Sequence, residues 1–483
     1  MPFTPDSLTA AEQKLWHAFP DGTVVDLRDA PEPKIRAEVI AALLRGVLPI
    51  EPGKAPAVRL RAAQITGLLN LNCASIAVPL WLEACQLDEA PDFAESSTRS
   101  ISMLDCQLPG FRGKLMRVDG QLSFNQSVIK GRLALTRATV TGELELRGTH
   151  LINPGDWALF AGGLTVESAV FGVSYSGLPS PNPLTVHGGF RLVGARLLGG
   201  AFLDGTQLHN PDGIAFHGDN MHVFGRMLCG SGFRAEGTIQ LPRARVEGEL
   251  SFADGNLIGA LSLNNAIIDD LNLRTAQPIS GLVDLRHARC AVLRDAPQSW
   301  PAAVALDGFA YDAIEAGPTR VTVVERLKWL RRDQDGYRPQ PYEQLAGLYR
   351  KLGADADAHR VLLEKQRRHR HELRLPTRIV GHLLDWTVGY GYRPWRAAAW
   401  FAFALIVGTL VFSAIPPLPA GPARHFDATM YTLDLLLPVS AFGLRDAFAP
   451  VGTTRWLAYG LTAAGWLLAT ALITGVTRAL RRE

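Results

Sequence analysis

In the middle of this chain glycine returns every eleven residues, and apolar or small residues fall between at offsets of two, four, seven and nine. From Gly131 these are Leu133, Leu135, Ala138 and Val140; from Gly142 they are Leu144, Leu146, Thr149 and Leu151. The frame recurs at Gly237 (Ile239, Leu241, Ala244, Val246), Gly248 (Leu250, Phe252, Gly255, Leu257), Gly259 (Leu261, Leu263, Ala266, Ile268) and, after a slip, Gly281 (Val283, Leu285, Ala288, Cys290). It also starts at Pro56, Gly67, Val78, Arg99, Gly120, Gly162, Gly188 and Gly199, so the inward positions define the repeat better than the glycine does. Inward residues two apart mean a short extended segment with alternating faces, and the three-residue gap before the next pair turns a corner. Offsets two and four do not share a helix face, which excludes a helical period. Such a unit cannot bury its apolar side alone, so copies must stack. With two units per coil, about nine or ten coils would rise roughly 45 Å at the strand spacing.

The pattern resembles pentapeptide-repeat and related right-handed β-helices, with a spacing of eleven in place of strict fives. The fold expected is mixed: a cytoplasmic right-handed β-solenoid with helical caps and neck, then an α-helical two-span transmembrane domain with a re-entrant helix. The corresponding boundaries are 1–53, 54–317, 318–375 and 376–483. Residues 8–19 and 34–48 read as helices capping the first coil, with Thr9 and Glu12 as a capping box. Trp300 to Ile314 (WPAAVALDGFAYDAI) reads as the cover of the last. Stretches at Asn153–Trp157 and Tyr175–Pro183 are loops off the ladder.

Little here points to metal or redox chemistry. The five cysteines are widely spaced without a CxxC pair, which argues against a disulfide framework or a zinc site. Cys85, Cys106 and Cys290 fall on inward positions, and Cys229 joins them if its unit starts at Gly225; all read as small core residues. His217, Asp219 and His222 could suggest a metal site but lack a marked third ligand. They read as a polar turn. No GxGxxG between strand and helix, P-loop or haem-attachment pattern is present, so no cofactor and no enzyme activity is expected. A net charge of +3 implies no nucleic-acid footprint. The N-terminus lacks a signal-peptide pattern, which puts the solenoid in the cytoplasm.

Residues 320–374 switch to helical periodicity. Tyr342, Leu345, Ala346, Tyr349, Ala358 and Leu362, with Gly353 at the turn, are similar to one tetratricopeptide repeat, whose plainer reading is a packed helical hairpin. The basic stretch that follows, Lys365 to Arg374, faces either anionic lipid or water.

Residues 397–415 and 456–476 carry no charge, and each suits a bilayer-spanning helix. Arginines before the first and after the second place both ends in the cytoplasm. Between them, 426–443 is apolar but too short to span, and reads as re-entrant. This order resembles the two-helix potassium-channel pore, with Tyr431 and the Phe442–Gly443 pair at similar spacing. Pro438-Val-Ser440-Ala stands where the filter threonines would, so potassium selectivity is not implied. Asp434 is either an acidic ring favouring cations or a carboxylate hydrogen-bonded within a lid. Upstream, Thr387 to Gly391 spells the filter literally but precedes the first span. There Trp386, Tyr390, Tyr392, Arg393, Trp395 and Arg396 read as membrane-interface anchors behind an interfacial helix, Thr377 to Trp386.

As a whole the chain resembles bacterial pentapeptide-repeat-like membrane proteins, some labelled membrane-associated oxidoreductases, a label that no motif here supports. The resemblance implies an inner-membrane protein. The leading expectation is an oligomeric ion-channel-like conduit, a tetramer by analogy, gated by the solenoid. The alternative is a membrane-anchored solenoid scaffold or signalling protein that binds a protein partner, with lipid as the other partner.

Overall fold

The structure, a computed structural model, describes residues 8–172, 183–317, 321–372, 394–420 and 425–480. Two compact units result, Met1–Gln344 and Leu345–Glu483.

The first unit is a β-solenoid of about 11 turns. The chain alternates between two parallel sheets of 14 and 15 strands. Val118 pairs with Val140 and Leu122 with Leu144, so one coil takes 22 residues and two units complete it. All four inward positions of the units from Gly131, Gly142, Gly237, Gly259 and Gly281 are buried. The core is therefore a set of columns, each filled by the same offset from successive coils. Insertions lengthen the middle coils. One is the bulge at Asn153–Trp157, inside the strand His150–Phe160. A second bulge, at 210–214 in the strand Gln207–His217, was not anticipated. In both, an asparagine Nδ2 closes the loop on the carbonyl four residues on (Asn153 to Trp157, 2.9 Å; Asn210 to Ile214, 3.0 Å). The insertion at Tyr175–Pro183 lies, but for Pro183, outside the described residues.

Two corners divide the work in each unit. A left-handed residue sits six positions after the frame start, filled by Arg137 (φ 53°), Asp254 (59°) or Asn265 (57°) as well as by glycine. The frame glycine is needed for a different reason. A Cβ on Gly131 would lie 2.3 Å from the Pro109 carbonyl oxygen, and one on Gly259 would lie 2.2 Å from that of Gly237. Successive coils touch backbone to backbone there.

At the start, helix α1 (Ala10–Ala18) is capped by Thr9 and Glu12 reciprocally. The second expected helix is shorter: Lys34–Arg36 is a strand of the first coil, and α2 spans Ala37–Leu44. Ile35 pairs with Ile65, and that pairing extracts these residues from the helix. At the other end, the segment expected as a cover is itself a coil, with strands Ala303–Ala305 and Ala310–Glu315. Its cover is α3 (Val323–Leu330), fastened by Arg326 to Asp295; both side chains are 4% exposed. The next helix, α4 (Pro339–Lys351), sends Gln340 and Gln344 to the carbonyls of Phe309 and Tyr311 (2.9 and 2.5 Å), closing backbone acceptors of the last strand.

In the second unit α5 spans Asp355–Glu372. Three further helices, α6 (Pro394–Ala414), α7 (Ala428–Leu436) and α9 (Thr454–Leu480), form a bundle with a short α8 (Leu444–Ala447). Phe412, Tyr431, Leu435, Leu436, Phe448 and Leu461 make its core. The two-span transmembrane domain expected at 397–415 and 456–476, with a re-entrant helix at 426–443, is overturned. Among the described residues no helix is long and apolar enough to cross a membrane. The apolar residues serve a bundle instead: Phe412 of α6 and Leu461 of α9 are buried in one core with Tyr431, Leu435 and Leu436 of α7. Freedom from charge is necessary for a crossing but does not make one. The pore-loop and ion-channel readings depended on those spans and lose that basis.

Candidate functional site

The region that looked like a channel filter is organised by one carboxylate. Asp427 caps α7 by accepting from the N–H groups of Thr429 and Met430 (2.8 and 2.9 Å), which starts the helix and aims Asp434 inward two turns later. Asp434 is fully buried. Its oxygens accept from the backbone N–H groups of Phe442, Leu444 and Arg445, each at 2.9 Å, and from the Ser440 hydroxyl at 3.0 Å. Gly443, at φ 64°, turns consecutive N–H groups toward the carboxylate, forming a backbone nest. Burial opposes ionisation of Asp434, but those four donors together hold its pKa below the usual carboxylate range. The signal was present in the sequence: an acid in an apolar helix, followed by a glycine loop able to supply N–H groups.

The other expected site residues divide. Tyr431 is 1% exposed and meets Phe412 edge-on at 5.0 Å, and burial pushes its phenol up. Pro438 is half-buried and Ser440 exposed on the loop, while Phe442 is exposed near its tip. Trp386, Tyr390, Tyr392 and Arg393 lie outside the described residues, as does the interfacial helix at 377–386. Of Trp395 and Arg396 only their place in α6 is described.

Sequence reasoning did not single out the outer face of the bundle. On α6 Phe403, Ile406 and Leu410 recur at helical spacing and are 58%, 59% and 64% exposed. Trp456, Tyr459, Trp466 and Leu467 do the same on α9, and the Asp434-held loop adds Val439 and Phe442. The opposite faces of both helices pack on α7. There Gly408 and Gly465 allow the approach, since a Cβ would lie 2.3 Å from Thr432 and 2.1 Å from the Leu436 carbonyl oxygen respectively. These helices are therefore apolar on both sides.

On the solenoid, His217, Asp219 and His222 do not converge. His217 stacks on Trp157 at 5.8 Å, Asp219 accepts from Arg243 at 2.8 Å, and His222 pairs with Glu247 at 2.9 Å. Burial lowers the His217 pKa, helped by Arg191. Among the described residues no group of three or more histidine, cysteine or acidic side chains is placed to hold a metal ion. Cys229 and Cys290 are buried thiols, pushed up by burial, Cys290 to about 12, which suits packing and not nucleophilic attack.

Comparison with known proteins adds no identity: no family model, no curated protein and no solved structure matches this chain.

Proposed function

We propose that this protein is a β-solenoid binding scaffold seated on lipid by its C-terminal helical unit. The observation that carries the reading is the double-sided apolarity of α6 and α9. Their inner faces pack on α7, yet Phe403, Ile406, Leu410, Trp456, Tyr459, Trp466 and Leu467 stay exposed. Soluble monomers rarely expose a contiguous apolar patch beyond a few hundred Å². Tryptophan and tyrosine beside Arg455 at the start of α9 match the composition of a headgroup boundary. Lipid suits this face better than a protein partner, because from Ala398 to Ala414 α6 carries no charged or amide side chain to form a polar rim. The reading requires no crossing of the bilayer. The stacked coils then present a rigid, ruled surface for a partner, as solenoids do.

Flotation of the purified full chain with liposomes tests the lipid seat. The expected result is co-flotation, lost when Phe403, Ile406 and Leu410 are replaced together by serine, while circular dichroism retains the β-solenoid signal. A wild-type chain that stays monodisperse without detergent and sediments free of liposomes refutes the seat.

A further inference from the structure

We propose that the N-terminal coils hold a binding site for a ring-bearing organic anion, built on Arg59, Trp81, Ser100 and Ser102. It does not depend on the lipid seat. Arg59 pairs in register with Trp81, and strand Leu80–Glu83 in turn lies against strand Ser97–Leu104, where Trp81 pairs with Ser102. All three sit at offset three of their units, the outward position, and so form one column on three successive coils. Over this column runs a groove of about 370 Å³, with Val24 and Pro79 among its apolar walls. That volume is at the low end of small-ligand sites, which span roughly 300–1,000 Å³.

The lining specifies the chemistry. No carboxylate lines the groove, and Arg59 is exposed with no ion-pair partner among the described residues. Its neighbour Arg61 is, by contrast, committed to Glu83 at 2.6 Å. Arg61 also lies 5.7 Å from the centre of the Trp81 ring, which pins the indole in place. Ser100 Oγ accepts the Gln121 N–H at 3.1 Å, leaving its own proton to donate. The groove thus offers a fixed aromatic surface, an uncommitted guanidinium and a hydroxyl donor. A cation is repelled by Arg59, and a purely apolar ligand leaves the guanidinium unused. A planar ring stacked on Trp81, with a carboxylate or phosphate reaching Arg59 and the Ser100 hydroxyl, uses all three.

The test uses the full chain in detergent, with protein-free micelles as blank, and titrates 4-fluorophenylacetate and its neutral amide by fluorine NMR. The wild type should bind the carboxylate about tenfold more tightly than the amide, the scale of one charge-assisted hydrogen bond. Arg59→Gln should abolish the difference, and Trp81→Leu should weaken both ligands. Absence of wild-type binding, a carboxylate preference that survives Arg59→Gln, or binding untouched by Trp81→Leu each overturns the site. Arg59 is a surface residue, so its variant keeps the fold, and circular dichroism verifies this.

Discussion

The Thr149 hydroxyl donates to the Phe124 carbonyl, 2.8 Å away and one coil earlier. The same column repeats the device: Ser127 to Met103 at 2.8 Å, Cys106 to Leu82 at 3.6 Å and Cys85 to Leu60 at 3.7 Å. Each small polar side chain satisfies a carbonyl at the corner of the coil before it. This gives Cys85, Cys106, Ser127 and Thr149 a structural task that a purely apolar side chain cannot perform.

Thr149→Val keeps the shape and removes the donor. It should cost about 0.5–1.5 kcal/mol, the worth of one hydrogen bond, because the Phe124 carbonyl keeps the Ser127 N–H at 3.1 Å. Thr149→Ser should recover most of the loss. Urea unfolding of the three proteins decides; equal stability for valine and threonine would contradict the column.

The two corners should respond oppositely to substitution. Gly259→Ala places a Cβ 2.2 Å from the Gly237 carbonyl oxygen and should destabilise by more than about 2 kcal/mol. Arg137→Gly, at the left-handed corner, should be within about 1 kcal/mol of neutral, since relief of the left-handed penalty offsets the extra chain entropy of glycine. Thermal melting of both variants measures the contrast.

Acid should loosen the N-terminal cap through Glu12. Burial alone would raise the Glu12 pKa, but hydrogen bonds from Arg36 and Thr9 outweigh it and bring it from 4.5 to about 2. A carboxylate depressed in the folded state stabilises at pH above its unfolded value. That contribution, up to about 3 kcal/mol, is lost as pH falls from 4.5 toward 2. Glu12→Gln should flatten the acid limb of a stability–pH curve measured between pH 2 and 6. A limb of unchanged slope would place the acid sensitivity elsewhere.

Arg326 lies 5.2 Å from the Trp300 ring and binds Asp295 through two oxygens, while Trp300 Nε1 donates to Asp295 at 2.9 Å. Asp295→Ala strands a buried guanidinium and should cost about 3–5 kcal/mol. Asp295→Leu combined with Arg326→Met should be far milder. A double-mutant cycle read by guanidinium unfolding separates the pair from its burial.

Asp434→Ala should free the loop at 437–445 by removing the acceptor of four hydrogen bonds. Amide exchange at Phe442, Leu444 and Arg445 should accelerate by at least tenfold, with Asp434→Asn intermediate because its amide retains one acceptor oxygen. Unchanged protection in Asp434→Ala would show that the loop holds itself.

The eleven-residue frame was readable from the sequence because alternation of two decides which side chains face in, and stacking then repeats that decision coil after coil. Every inward position from Gly131 to Leu151, cysteines included elsewhere in the column, follows from local periodicity. The outward column of Arg59, Trp81 and Ser102 was legible in principle by the same offset, once two units were known to make a coil. The terminal coils were not legible. Lys34–Arg36 and Ala303–Ala305 become strands only because a neighbouring coil offers its edge, and a single unrepeated segment carries no period to announce it. Asp434 likewise stands six to eleven residues from the donors that hold it, and only the turn at Gly443 brings them together. In the C-terminal helices the sequence recorded apolarity, but which faces pack and which stay bare is decided by close approach at Gly408 and Gly465. Periodic local patterning determined the solenoid; everything dependent on a single unrepeated contact waited for the tertiary structure, because one contact leaves no pattern along the chain.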